Sequence, residues 1–136
     1  MRFLDTNIFI RYLTRDDQRK AAACFELFQR VKRGEEQVTT CEAIVSEIVY
    51  VLSSKATYGL SHADVRARLS PLLALRGLKL AHKRVYQRAL DLYAEQPSLD
   101  FEDTLAAAHM ERQKLSELYS YDRDLDRVTG VQRIEP

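Results

Sequence analysis

Five short β-prone runs, at residues 2–5, 37–40, 78–80, 117–121 and 131–134, alternate with segments whose apolar residues recur at helical spacing. That alternation constrains the fold more than any other feature of the chain. Strands joined through helical connections pair in parallel, and right-handed crossovers gather their carboxyl ends on one edge of the sheet. Ligand sites in such sheets form outside those carboxyl ends. The expected architecture is therefore α/β with a mainly parallel central sheet. At 136 residues the chain suits one domain over 1–136 with one core.

The connections carry their own punctuation. Asp16-Asp17 precedes a pattern with Ala21, Cys24, Phe28 and Val31 on one face, and Gly34 is its stop. Residues 42–56 are rich in β-branched side chains, yet their length and polar flanks predict a buried helix. Ser61-His62-Ala63-Asp64 reads as a capping-box variant opening another helix, which Pro71 kinks or splits and Gly77 closes. Helices over about 82–95 and 101–113 flank Pro97.

Composition narrows the classes. No run reaches the ~18–20 apolar residues of a membrane span. Asp5 and Asn7 interrupt any signal-peptide core, so the expected compartment is the cytoplasm. Cys24 and Cys41 each sit in an apolar pattern without histidines at metal-finger spacing, which predicts buried free thiols. A net charge of +1 argues neither for nor against nucleic acid; local placement must decide.

Carboxylates recur where structure alone does not need them. Asp5 ends the first strand, and Asp122 ends the run Leu118 to Tyr121, with Asp124 and Asp126 close behind. Asp100 and Asp103 open a helix. Glu47 sits mid-helix between Val45 and Leu52, with no lysine or arginine at i±3 or i±4. Each has an ordinary reading as a cap, a turn residue or a solvent-facing side chain. Together they can converge on one sheet edge, where like charges repel unless a cation joins them. Oxygen donors select Mg²⁺ or Mn²⁺, and such a site suits phosphodiester hydrolysis.

Four stretches then carry a resemblance: Leu4-Asp5-Thr6-Asn7; Ser46-Glu47-Ile48-Val49-Tyr50-Val51-Leu52; Asp100 to Ala108; and Ser120-Tyr121-Asp122-Arg123-Asp124-Leu125. In order and spacing they resemble the motifs of PIN-domain ribonucleases, most closely the VapC-type toxins of toxin–antitoxin modules. The resemblance implies a three-layer α/β/α fold and a Mg²⁺- or Mn²⁺-dependent endoribonuclease that hydrolyses RNA with a metal-activated water. It places the acidic quartet on Asp5, Glu47, Asp103 and Asp122. Asp5 and Asp103 are then metal ligands, with Glu47 and Asp122 binding directly or through water. Thr6, Asn7, Asp100 and Ser120 fall on supporting positions. The resemblance further implies a homodimer, a small antitoxin partner, and operator DNA bound only through that antitoxin.

Arg11 and Arg15 beyond the first motif, and Arg123 and Arg127 beyond the last, are the candidate RNA phosphate contacts. Stacking by Tyr58 or Tyr86 on unpaired bases is a further option. His62, His82 and His109 fall on helical patterns and read as structural or surface residues. A receiver-like domain fits poorly, because Thr6-Asn7 stands where a second acid is needed. A PIN-like RNA- or protein-binding module without cleavage is the alternative to the enzyme.

Overall fold

Every strand pairing is parallel in the computed structural model, which describes all residues from Met1 to Pro136. β1 (Arg2–Phe3) pairs with β2 (Val38–Thr39), Arg2 opposite Val38. The crossover between them holds α1 (Thr6–Thr14) and α2 (Gln18–Arg33). α3 (Glu42–Ser53), α4 (His62–Leu73), α5 (Lys83–Glu95) and α6 (Phe101–Gln113) follow. β3 (Glu117–Tyr119), a 3-10 turn at Arg123–Arg127, and β4 (Gln132–Ile134) complete the chain, with Leu118 opposite Arg133. This is the expected α/β architecture.

Local chemistry explains most boundaries. The Asp17 carboxylate accepts from the Lys20 N–H at 3.1 Å and starts α2; Gly34, at φ +76°, stops it. Ser61 Oγ accepts from the Asp64 N–H at 3.1 Å, the cap its sequence predicted. Val45, Ile48, Val49 and Leu52 form one buried stripe, so the β-branched run is a helix. Pro71 does not split α4, which runs on through it to Leu73. Gly77 has a different reason to be glycine: a Cβ there would lie 2.6 Å from the Val31 carbonyl oxygen and closer still to that of Glu36.

Two expectations change. Residues 78–80 do not form a strand; Leu78 makes a single parallel bridge to Val38. That bridge uses the Gly77 carbonyl and the Lys79 N–H and goes no further, and Lys83 Nζ binds the Leu78 carbonyl at 2.5 Å. The sheet is also in two parts, β1–β2 and β3–β4, and no backbone hydrogen bond joins β1 to β3. The core divides likewise. Twenty-three buried residues from β1 to α6 form one cluster, while Leu99, Ala107 and Val128 form a small second one beneath the C-terminal segment. Phe3 and Tyr119 on the unjoined strands are 57% and 72% exposed. No helix is long and apolar enough to cross a membrane.

Candidate active site

The first group of site residues is assembled by the end of β1. Leu4 is buried, donates its N–H to the Thr39 carbonyl at 2.8 Å, and accepts from Thr40 Oγ1 at 2.9 Å. Held there, the chain presents Asp5 at the strand's carboxyl end. One Asp5 oxygen accepts from the Thr6 N–H at 2.9 Å, so Asp5 caps α1 and keeps its other oxygen free. Thr6 is buried, and its Oγ1 donates to Glu47 Oε2 at 2.7 Å. Glu47 itself is exposed rather than embedded in its apolar run. The stripe at 45, 48, 49 and 52 points away from it, and its carboxylate opens into a cleft of about 290 Å³ shared with Asp5, Asn7, Arg11 and Tyr58.

The second group forms where α6 meets the 3-10 turn. Asp100 stands at the N-cap of α6 without a side-chain cap bond, and Asp103 follows in the first turn. Asp122 caps the 3-10 turn by accepting from the Asp124 N–H at 2.9 Å, and its own N–H is held by Ser120 Oγ at 3.0 Å. This double turn brings one carboxylate oxygen each of Asp103, Asp122 and Asp124 within 4.8 Å of one another. Burial, then the charges of Asp122, Asp100 and Asp124, push the Asp103 carboxyl above its ordinary range. The nearest cation is Arg127, 3.6 Å from Asp124 across an exposed pair that solvent screens.

Three carboxylates held so close by helix and turn geometry match a divalent cation. Their donors are all oxygen, which suits Mg²⁺ or Mn²⁺ and not a soft metal. Asp5 and Glu47 stand outside this trio. α3, which carries Glu47, packs against both α1 and α6 and so lies between the two groups. The physical reason for the division is the sheet: Asp5 rides on β1 and Asp122 follows β3, and those strands are unjoined.

The remaining candidates separate clearly. Arg15 is the left-handed C-cap of α1 and lines a different depression, with Gln18 and Phe25. Arg123 lies exposed in the 3-10 turn. Several basic residues of the middle segment are committed structurally: Arg66 to Asp91, Arg68 to the Leu13 carbonyl, Lys83 to two carbonyls, and Arg88 to Glu111. Of the histidines, His62 donates from Nε2 to the Leu99 carbonyl at 2.8 Å and stacks on Tyr93 at 3.7 Å. His109 joins Glu42 at 2.6 Å, tying α6 to α3. Both cysteines are free, but only Cys24 is buried; Cys41 is exposed because it holds the N-cap of α3. Asp124 belongs to the metal-competent trio although the sequence offered it only as an alternative in an acid-rich stretch. The signal was the Asp-x-Asp spacing that closes the turn.

No curated protein sequence matches the chain. Among protein families, residues 2–131 match the PIN domain. PIN domains are nucleases that typically work with divalent metals, which agrees with the carboxylate trio. Because the match covers nearly the whole chain and includes every acidic residue described above, this protein belongs to the PIN domain family.

Proposed function

We propose that this PIN domain is a divalent-metal-dependent endoribonuclease and the toxin of a toxin–antitoxin pair. The observation that carries the catalytic assignment is the convergence of Asp103, Asp122 and Asp124, three mutually repelling carboxylates with only the solvent-screened Arg127 paired to Asp124. Mg²⁺ is the favoured ion and Mn²⁺ the next. When bound, a divalent ion offsets charge building on the phosphate and lowers the pKa of nearby water. Asp103 and Asp122 hold it, with Asp124 beside them. Asp5 and Glu47 complete the set directly or through water, orient the strand, and accept a proton from the attacking water. Thr6 keeps Glu47 turned into the cleft through its hydroxyl. Asn7, Asp100 and Ser120 position the backbone and charge around these groups.

The toxin assignment is supported by the four motifs and their order. It brings with it a homodimer, a small antitoxin that blocks the acidic cleft, and operator DNA reached only through that antitoxin. An RNA substrate places the activity in the cytoplasm, a compartment that suits two free thiols. A second function, an RNA- or protein-binding module without cleavage, is favoured by one observation: Asp5 and Glu47 stand apart from the metal-competent trio.

The deciding experiment incubates purified protein with a panel of RNAs in EDTA, Mg²⁺ or Mn²⁺, beside the Asp5→Asn and Asp103→Asn variants. Cleavage that needs the ion and is lost in both variants supports the enzyme. Equal degradation by all three proteins removes the catalytic assignment. Binding without cleavage across the panel favours the module.

A further inference from the structure

We propose that Asp16 fixes Arg11 and Tyr58 as a clamp for one unpaired nucleotide of single-stranded RNA beside the acidic cleft. The inference rests on RNA being the ligand of this site and adds how the strand is gripped.

The cleft is chemically mixed. Asp5 and Glu47 supply its acidic groups, Arg11 and Tyr58 a cation and a ring, and Ile10 and Val51 an apolar lining. Acidic groups for the reacting phosphate, a cation for a neighbouring phosphate, and an apolar and aromatic surface for a base are the three elements that a nucleotide requires. Arg11 shares a face of α1 with Asn7, four residues earlier, and lines the cleft six residues beyond the Asp5 cap. It therefore lies about 9 Å of helix rise beyond Asp5, within reach of the next phosphate along a strand. An open groove of about 290 Å³ has room for a splayed base.

Asp16 does not line the cleft. It stands behind the rim and receives three donors from two distant segments. Arg11 Nη1 reaches one carboxylate oxygen at 3.1 Å, where Thr14 Oγ1 also donates at 3.2 Å. The Tyr58 hydroxyl reaches the other oxygen at 2.5 Å across 42 residues of sequence. Thr14 is itself anchored on the Ile10 carbonyl at 2.8 Å. The Tyr58 hydroxyl, ahead of Arg11 and Thr14, holds the Asp16 carboxyl below its ordinary range. An isolated surface ion pair does little for a fold. Three converging donors do something else: they remove the rotamer freedom of an arginine and a tyrosine before ligand arrives, and that entropy is not lost again on binding. Asp16 is thus a positioning residue, acting through two side chains that touch the strand.

The test compares wild type with Asp16→Asn, Tyr58→Phe and Tyr58→Ala. Binding is read by the anisotropy of a fluorescein-labelled single-stranded oligoribonucleotide and of its duplex. Cleavage is read as separate kcat and KM in Mg²⁺, and Mn²⁺ affinity and Tm are measured on each protein. Asp16→Asn, which keeps shape and removes charge, is expected to weaken single-strand binding and raise KM about fivefold, with kcat changed less than about twofold. Tyr58→Ala is expected to cost about tenfold, the low end for one stacked base. Tyr58→Phe, which keeps the ring but loses its tie to Asp16, is expected to weaken single-strand binding as Asp16→Asn does, by about fivefold at most. Duplex binding and Mn²⁺ affinity are expected to stay as in wild type, and Tm to hold in Asp16→Asn and Tyr58→Phe but to fall in Tyr58→Ala, whose ring packs against the main core. Unchanged single-strand affinity in Asp16→Asn and Tyr58→Ala overturns the clamp, even where wild type cleaves RNA. Equal losses for single strand and duplex overturn it too, since they point to plain charge attraction. If wild type cleaves nothing but the variants still lose single-strand affinity, the clamp stands and the nuclease assignment falls.

Discussion

Asp103→Asn tests the electrostatics of the site without any substrate. Asp103 is half-buried, and its carboxylate oxygen lies no more than 4.8 Å from those of Asp122 and Asp124. Two unit charges at 4.8 Å repel by about 0.9 kcal/mol in bulk water and about 3.5 kcal/mol at an effective dielectric of 20. Asp122 and Asp124 are exposed, so the solvent-screened end applies to each pair. Relief of two such pairs is worth about 2 kcal/mol. Against it stands the favourable placement of a negative charge in the first turn of α6, about 0.5 kcal/mol. Repulsion wins, and the metal-free variant is expected to be more stable by about 1.5 kcal/mol, a rise in Tm of about 5 °C for a chain of this size.

The assay is thermal unfolding in EDTA at low salt across pH. Asp103 has its carboxyl raised, so the native state holds that proton more tightly than the unfolded chain does. At about pH 3, below the ordinary aspartate value, both states are largely protonated and the gap between wild type and variant is nearly closed. As pH rises through the native value, wild type loses stability relative to the variant, and the gap is full at neutrality. Saturating Mg²⁺ then reverses the order, because wild type gains binding free energy that the variant lacks. A variant that melts at or below wild type in EDTA at neutral pH refutes the reasoning, as does a gap independent of pH.

Three further outcomes are expected. Thr6→Val removes the hydroxyl that holds Glu47; cleavage should fall about tenfold, while stability changes by only about 1 kcal/mol because Glu47 can turn to water, a contrast that kinetics and denaturant melts will show. Gly77→Ala forces a Cβ against the Val31 and Glu36 carbonyls and should cost about 2–3 kcal/mol in urea unfolding; a change under about 0.5 kcal/mol would show that the loop yields freely. Val128→Ala thins the small second core and should lower Mn²⁺ affinity, measured by calorimetry, by more than its loss of global stability predicts, because that core seats the 3-10 turn carrying Asp122 and Asp124.

Most helices were legible from sequence because their signals are local. The Asp17 and Ser61 N-caps and the Gly34 stop act within one turn of the residue that makes them. What was not legible depended on distant partners. Leu78-Lys79-Leu80 looked like a strand, but it meets β2 in a single bridge at Val38. Glu47 read equally as a buried or a solvent-facing acid among apolar neighbours, although the stripe at 45, 48, 49 and 52 already leaves 47 on the opposite face. Cys41 looked apolar but fell on a helix cap. Asp16 read as a helix leader because nothing in the sequence links it to Tyr58, 42 positions away. The division of the sheet was equally hidden, since strand propensity says nothing about which edges meet.

α6 explains how a divided sheet still supports one site. Phe101, Leu105 and Ala108 of this helix belong to the main core, while Ala107, one residue away, belongs to the second core with Leu99 and Val128. One rigid helix is thus seated in both packing units. Asp103 lies in its first turn, beside Asp122 and Asp124 of the C-terminal unit, and His109 near its other end is tied to Glu42 on α3, the helix that also carries Glu47. α6 and its packing on α3 thus link the C-terminal acids to the helix that carries Glu47. Asp103 carries the raised carboxyl because it is the partly buried member of the trio, and the same seating makes it the acid whose position both cores determine.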